Sequence, residues 1–101
     1  MAVAFIQEFP IEGSDRSTTN YDAVAERLGR EVPQGAIAHT AGFDEEAGVF
    51  RIFDIWETRA DADRFIQQTL GPVIEEMFAS RPDALPPARE YFYELHDLIT
   101  A

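Results

Sequence analysis

Apolar residues at the start of the chain fall on both parities of an extended backbone: Val3, Phe5 and Phe9 on one side, Ala2, Ala4 and Ile6 on the other. Ala2 to Phe9 is rich in strand formers and closes at Pro10, which has no amide proton for a central ladder, so it reads as a first strand. After a polar, glycine-containing loop to Thr18 the period changes. Tyr21, Val24, Ala25 and Leu28 recur at i, i+3, i+4 and i+7, the stripe of an amphipathic helix over about 20–28. Thr19 and Asp22 resemble a capping pair for it, and Gly29 is its stop.

Two further strand-like runs follow, Gly35 to Phe43 and Val49 to Glu57, separated by the short polar stretch Asp44 to Gly48, which predicts a hairpin. Thr58 is placed to cap a second helix with Asp61 three residues on, and Ala62, Phe65, Ile66, Thr69 and Leu70 repeat at helical spacing. Gly71 and Pro72 are expected to break that helix. Pro72, at a first helical position, then restarts a short one whose stripe is Val73, Ile74, Met77 and Phe78. Arg81 to Ala88 contains three prolines and reads as loop; Arg89 to Leu95, with Ile99 as its farthest reach, is aromatic and alternating and reads as the last strand.

The order β-α-β-β-α-β defines an α+β, ferredoxin-like chain: a four-stranded antiparallel sheet with its helices on one face, because right-handed crossovers carry both helices to the same side. The other face is then bare. It is also apolar, since the third strand offers Phe53 and Ile55 on one parity and Phe50, Ile52 and Trp56 on the other. A sheet with one solvated face alternates apolar with polar, so this second surface calls for a cover, and a homodimer through the open sheet face is the simplest one.

The length of 101 residues fits a single domain spanning 1–101, which buries only about 60–65% of its unfolded surface and gains from a partner. Nineteen acidic residues against eight basic ones leave a net charge of −11, which repels phosphate backbones and anionic lipid headgroups and argues against nucleic acid and membrane partners. With no cysteine there is no disulfide, thiolate catalysis or zinc–sulfur site. No apolar run is long enough for a bilayer and Met1 to Phe9 lacks the pattern of a signal peptide, so a cytoplasmic location is the expectation.

The run Phe50-Arg51-Ile52-Phe53-Asp54-Ile55-Trp56-Glu57-Thr58, followed by a helix with Asp63, Arg64 and Phe65, is similar to the strand ending in Trp-Glu-Ser of the dimeric α/β barrel superfamily. The chain resembles its antibiotic-biosynthesis-monooxygenase-like branch over essentially its whole length. That superfamily holds cofactor-free quinone-forming monooxygenases, polyketide cyclases, lactone isomerases and haem-degrading enzymes, so the resemblance speaks for fold more than for activity. It implies a cleft between sheet and helices faced by Trp56, with Asp54 and Ile52 on the same face by alternation. Two positions depart from the monooxygenase pattern: Ile52 stands where those enzymes can carry Asn, and Ala62 where they carry Tyr.

Candidate chemistry centres on the two histidines, His39 on the second strand and His96 late in the fourth, as the side chains best suited to proton transfer near neutral pH. Asp54, in an otherwise apolar strand, needs a partner. If the hairpin pairs Asp44 with Val49, His39 lies opposite Asp54 and the two form a base with its orienting carboxylate; if Phe43 pairs with Val49, the register slips by one and His39 turns to the dimer face. Trp56, Ile52, Phe65, Phe78 and His96 are the expected lining for an apolar aromatic small molecule, although aromatics at such spacings commonly form plain core. No metal-ligand cluster and no nucleotide-binding motif is present, so neither metal nor cofactor is expected. The expected function is a cofactor-independent enzyme of monooxygenase, cyclase or isomerase type acting on an aromatic or polyketide-like molecule; the alternative is a non-catalytic binding or interaction module.

Overall fold

The computed structural model describes residues 1–100. Its elements are β1 (Val3–Pro10), α1 (Thr19–Leu28), β2 (Ala36–Asp44), β3 (Val49–Trp56), α2 (Arg59–Phe65), a π-helical segment (Ile66–Leu70), α3 (Gly71–Ser80) and β4 (Arg89–Glu94). The strands form one antiparallel sheet in the order β2-β3-β1-β4, the ferredoxin-like arrangement that the element order implies. Among the described residues no helix is long and apolar enough to cross a membrane.

Strand parity assigns the two faces. Val3 and Phe5 of β1 and Trp56 of β3 join Ala62 of α2 in the buried core, with Ala36, Phe65, Ile66 and Phe92 against them, so this parity faces the helices. Phe5 stacks on Phe92 with centroids 4.4 Å apart, and the Arg59 guanidinium lies 3.6 Å above that ring. The opposite parity carries Ile6, flanked across the sheet by Phe53 and Tyr91, and Ala4, flanked by Ile55 and Tyr93. Toward one end of this open face Glu8 is buried and holds both Arg51 at 2.9 Å and Arg89 at 3.3 Å, while Arg51 also reaches Asp44 at 2.7 Å. Glu8 sits directly opposite both arginines in the register, which is why one carboxylate is satisfied twice.

The helix capping differs in detail from expectation. Thr18, not Thr19, is the N-cap residue of α1, and its hydroxyl donates to Asp22 at 2.8 Å. Thr58 caps α2 as expected, accepting the Asp61 amide at 3.1 Å and donating to the Asp61 carboxylate at 2.9 Å.

Gly71 and Pro72 do not break the helix. Proline lacks the N–H of an i→i−4 bond, and its ring collides with the carbonyl four residues back in an α-helix. Here a π-helical turn widens the path just before it: the Gly71 amide donates to the Ile66 carbonyl, and Gly71 itself keeps right-handed helical angles. The turn leaves no room at Gly71, where a Cβ would stand 2.9 Å from that same Ile66 oxygen. Alanine at a helical glycine ordinarily stabilises by about 0.5–1 kcal/mol. At Gly71 the sign is expected to invert, to a loss of about 1 kcal/mol from overpacking against backbone. Thermal unfolding of Gly71→Ala checks this, and a raised melting temperature would show that the widened turn is absent.

Candidate active site

The hairpin loop decides where His39 points. The Asp44 carbonyl accepts the Gly48 amide at 2.9 Å, its side chain accepts the Ala47 amide at 3.0 Å, and Gly48 takes a left-handed φ of 72°. This closed turn ends both strands at Asp44 and Val49, so those two residues pair and His39 stands opposite Asp54. Further along, a bulge at Ile37 shifts the register by one, which brings Ala36 opposite Trp56 and onto the core.

His39 and Asp54 meet on the helix face. The imidazole Nδ1 lies 2.5 Å from Asp54 Oδ1, and its other nitrogen, Nε2, lies 2.7 Å from the hydroxyl of Tyr21 on α1. The chain Asp54, His39, Tyr21 therefore runs unbroken from sheet to helix. Asp54 is largely enclosed, with its side chain 14% exposed, whereas the His39 side chain is 55% exposed and accessible to a ligand. The hydrogen bond to Asp54 raises the His39 pKa above its ordinary value, and the carboxylate charge adds to this while partial burial works against it. Burial, then the charges of Asp54 and Asp22, hold the Tyr21 phenol above its usual range, so it stays protonated at neutral pH. The Tyr21 ring is held by an edge contact with Phe50 at 5.5 Å, and Phe50 meets Phe43 in the same way at 4.9 Å.

Trp56 belongs to the core of this face. It is 3% exposed and packs on Phe65 at 5.2 Å, yet its indole Nε1 has no hydrogen-bond acceptor. An unsatisfied buried donor is uncommon and costs free energy, roughly 1–3 kcal/mol. Ile52 shares the face of Asp54 and Trp56, between Gln7 and Ala41 on the neighbouring strands. Ala62 is fully buried in the core cluster with Trp56, so this position is part of the packing. Phe78 is half-buried on α3. His96 is exposed beyond the end of β4, an edge strand separated from β2 by the two central strands, and the structure does not bring it to His39.

Tyr21 is the residue that sequence patterning missed. Its position in the α1 stripe made it look like core, and its polar tip was the only signal that a buried-side tyrosine needs a hydrogen-bond partner.

Among the described residues no group of three or more histidine and carboxylate side chains is arranged to hold a metal ion. Two open depressions, about 400 Å³ between α1 and α3 and about 380 Å³ beside the end of α1, are not lined by His39, Asp54, Tyr21 or Trp56. Volume alone does not mark the chemistry; the linked polar side chains do.

No family model matches the sequence, and no curated protein is significantly similar to it. Solved structures are similar over nearly the whole chain. SnoaB, a cofactor-independent oxygenase from Streptomyces nogalater solved as a point variant, superposes with a TM-score of 0.65 at 13% identity, covering 99% of this chain and 98% of that one. A candidate antibiotic biosynthesis monooxygenase from Chloroflexus aurantiacus J-10-fl gives 0.65 at 11% identity, with the same 99% and 98% coverage. Rv0793 from Mycobacterium tuberculosis gives 0.62 at 18% identity, covering 100% and 99%. The chain thus has the ferredoxin-like fold of these antibiotic-biosynthesis-monooxygenase-like structures, as the strand ending in Trp56 implied.

Proposed function

We propose that this protein is a small cofactor-independent enzyme that moves a proton on a flat aromatic or polyketide-like molecule bound against the helix face of its sheet. The observation that carries this reading is the hydrogen-bonded chain Asp54, His39, Tyr21. A carboxylate on one imidazole nitrogen fixes the tautomer and stabilises the imidazolium formed when the ring takes up a proton. Trp56 Nε1, a donor with no acceptor of its own, is suited to a ligand carbonyl or phenol oxygen, with Ile52, Phe65 and Phe78 as apolar surroundings. The hydrocarbon side chain of Ile52 and the small Ala62 favour cyclase or isomerase chemistry over quinone-forming oxygenation. Like SnoaB, the enzyme would work without a cofactor.

The first test needs no substrate. His39 is expected to titrate above an ordinary histidine, whose value is 6.5, and Asp54→Asn is expected to bring it down. The sign for stability follows: a group with a raised folded-state pKa stabilises the fold fully below the unfolded value and loses that contribution as pH rises through the folded one. The stability gap between parent and Asp54→Asn should therefore narrow as pH rises past 6.5 and through the raised His39 value. Identical His39 titration curves in the two proteins, followed by NMR, would remove the dyad.

Ligand occupancy is read at Trp56, the one tryptophan of the chain. Titration with 1-naphthol, a flat apolar phenol, is expected to move the single indole N–H resonance and the His39 ring signals together. A ligand that binds and moves both but is never turned over, across a series of anthrone and naphthol compounds, would favour the binding-module reading. The open sheet face is assigned to a second copy of the chain in a two-fold homodimer.

A further inference from the structure

The two nitrogens of His39 are both occupied, Nδ1 by Asp54 and Nε2 by Tyr21. A general base needs a free lone pair aimed at the proton it removes, and the imidazole has none left. The phenol does. When the ring is neutral, Nδ1–H donates to Asp54 and Nε2 accepts from the Tyr21 hydroxyl, which leaves the lone pairs of the Tyr21 oxygen as the open end of the chain. We propose that Tyr21, and not His39, is the catalytic residue that exchanges the proton with substrate, with His39 as its proton store and Asp54 as the positioning residue; this rests on the proton-transfer reading of the site.

The step balances without any co-reactant. A substrate C–H or O–H proton passes to the Tyr21 oxygen as the Tyr21 proton passes to His39 Nε2, leaving a substrate enolate or phenolate and an imidazolium beside the Asp54 carboxylate. Return of the proton along the same path to a different substrate atom completes an isomerisation or the proton transfer of a cyclisation. Tyr21 alone is a poor base at neutral pH because burial and nearby acids favour the neutral phenol over the basic tyrosinate. Coupling to His39 removes that obstacle, since no tyrosinate accumulates: the proton is handed on as it arrives, to a ring whose charged form Asp54 favours. Geometry supports concerted movement. The Tyr21 hydroxyl lies 2.7 Å from His39 Nε2, the two ring planes are within 2° of parallel, and an edge contact with Phe50 at 5.5 Å holds the phenol. The substrate class this suits is a carbonyl compound with an acidified C–H, or its enol or phenol form, flat enough to lie along the sheet beside Phe50.

The experiment uses 5-nitrobenzisoxazole, whose ring opens when a base removes its single heterocyclic carbon-bound proton, breaking the N–O bond and releasing a coloured cyanophenolate. The parent protein is expected to accelerate the opening over buffer. Tyr21→Phe keeps the ring and its contacts but removes the oxygen, and is expected to reduce kcat/KM at least tenfold. In the same variant, NMR should still show His39 titrating above an ordinary histidine, because its bond to Asp54 is intact. His39→Gln is expected to flatten the pH–rate profile. If His39 were the residue facing substrate, Tyr21→Phe would free Nε2 and the rate would hold or rise; that result, with His39→Gln inactive, overturns the assignment of Tyr21 and leaves the proton-transfer reading standing. A parent protein no faster than buffer overturns both. A Tyr21 that merely bolts α1 to the sheet would lower the melting temperature in Tyr21→Phe and leave the rate unchanged, which also overturns the proposal.

Discussion

Replacing Gly35 with alanine is expected to remove about 2–4 kcal/mol of stability, a large share of what a chain of this size holds. Two independent effects act at this position. Gly35 has a φ of +85°, a left-handed conformation that is strained by roughly 1–2 kcal/mol for a residue with a Cβ. The new Cβ would also stand 2.4 Å from Asp61 Cγ. Asp61 cannot simply swing aside, because its carboxylate takes the Thr58 hydroxyl at 2.9 Å and the Arg64 guanidinium at 2.9 Å. Moving it would undo the start of α2, and Gly35 itself supplies the carbonyl that accepts the Glu57 amide at 2.8 Å. The thermal midpoint is expected to fall by on the order of 10–20 °C. In the double variant Gly35→Ala, Asp61→Gly, compared with Asp61→Gly alone, the collision with Asp61 Cγ and Cβ is relieved and the backbone strain is not, so about half the loss should return. Full recovery would show that strain at Gly35 is unimportant, and a midpoint unchanged in the single variant would show that the approach of β2 to α2 is looser than 2.4 Å implies.

The second large effect concerns assembly. The protein is expected to sediment as a dimer at micromolar concentration, and Tyr93→Glu is expected to weaken that dimer at least a hundredfold while leaving the protomer folded. Tyr93 lies on the open face of edge strand β4 and is 46% exposed in the single chain, so the protomer does not depend on burying it. Its neighbours on that face, Tyr91 at 6.3 Å between ring centroids, Ile55 and Phe53, form the apolar area that a second sheet would cover. A glutamate there would be buried without a partner, and two-fold symmetry makes each substitution count twice. The Glu8, Arg51, Asp44 and Arg89 ion pairs at the same face are already satisfied within one chain, so they set a polar border to the apolar area without needing the second copy. A stable monomer for the parent would sink this assignment. A Tyr93→Glu variant that stays fully dimeric would move the interface to another surface.

Much of the fold was legible from residue order because it rests on local rules. Strand parity along Val3 to Phe9 and Val49 to Trp56 separated two apolar faces, Thr58 with Asp61 marked the start of α2, and the glycine-containing stretch from Asp44 to Gly48 announced a hairpin. The Gly71-Pro72 pair misled for a physical reason. Both residues are strong helix breakers in isolation, but here the chain stays helical through a π turn, in which the Gly71 amide donates to the Ile66 carbonyl just before the proline.

The candidate site was half visible. His39 and Asp54 could be named and their possible encounter stated, because an acid in an apolar strand needs a partner. Which of two registers holds was beyond the local pattern: it depends on Asp44 closing the loop, its side chain accepting the Ala47 amide and its carbonyl the Gly48 amide, which sets the face of every side chain of β2. Tyr21 was out of reach for a different reason. Its distance to His39 depends on how α1 settles across the sheet, so a residue eighteen positions away in sequence meets the imidazole at 2.7 Å only through tertiary packing. The sequence by itself determined the elements, their order and the two-sided sheet, since periodicity and turn chemistry act over a few residues. The tertiary structure alone decided that an acid, an imidazole and a phenol form one connected chain, because hydrogen bonds between elements depend on register and helix placement, which no short window of sequence contains.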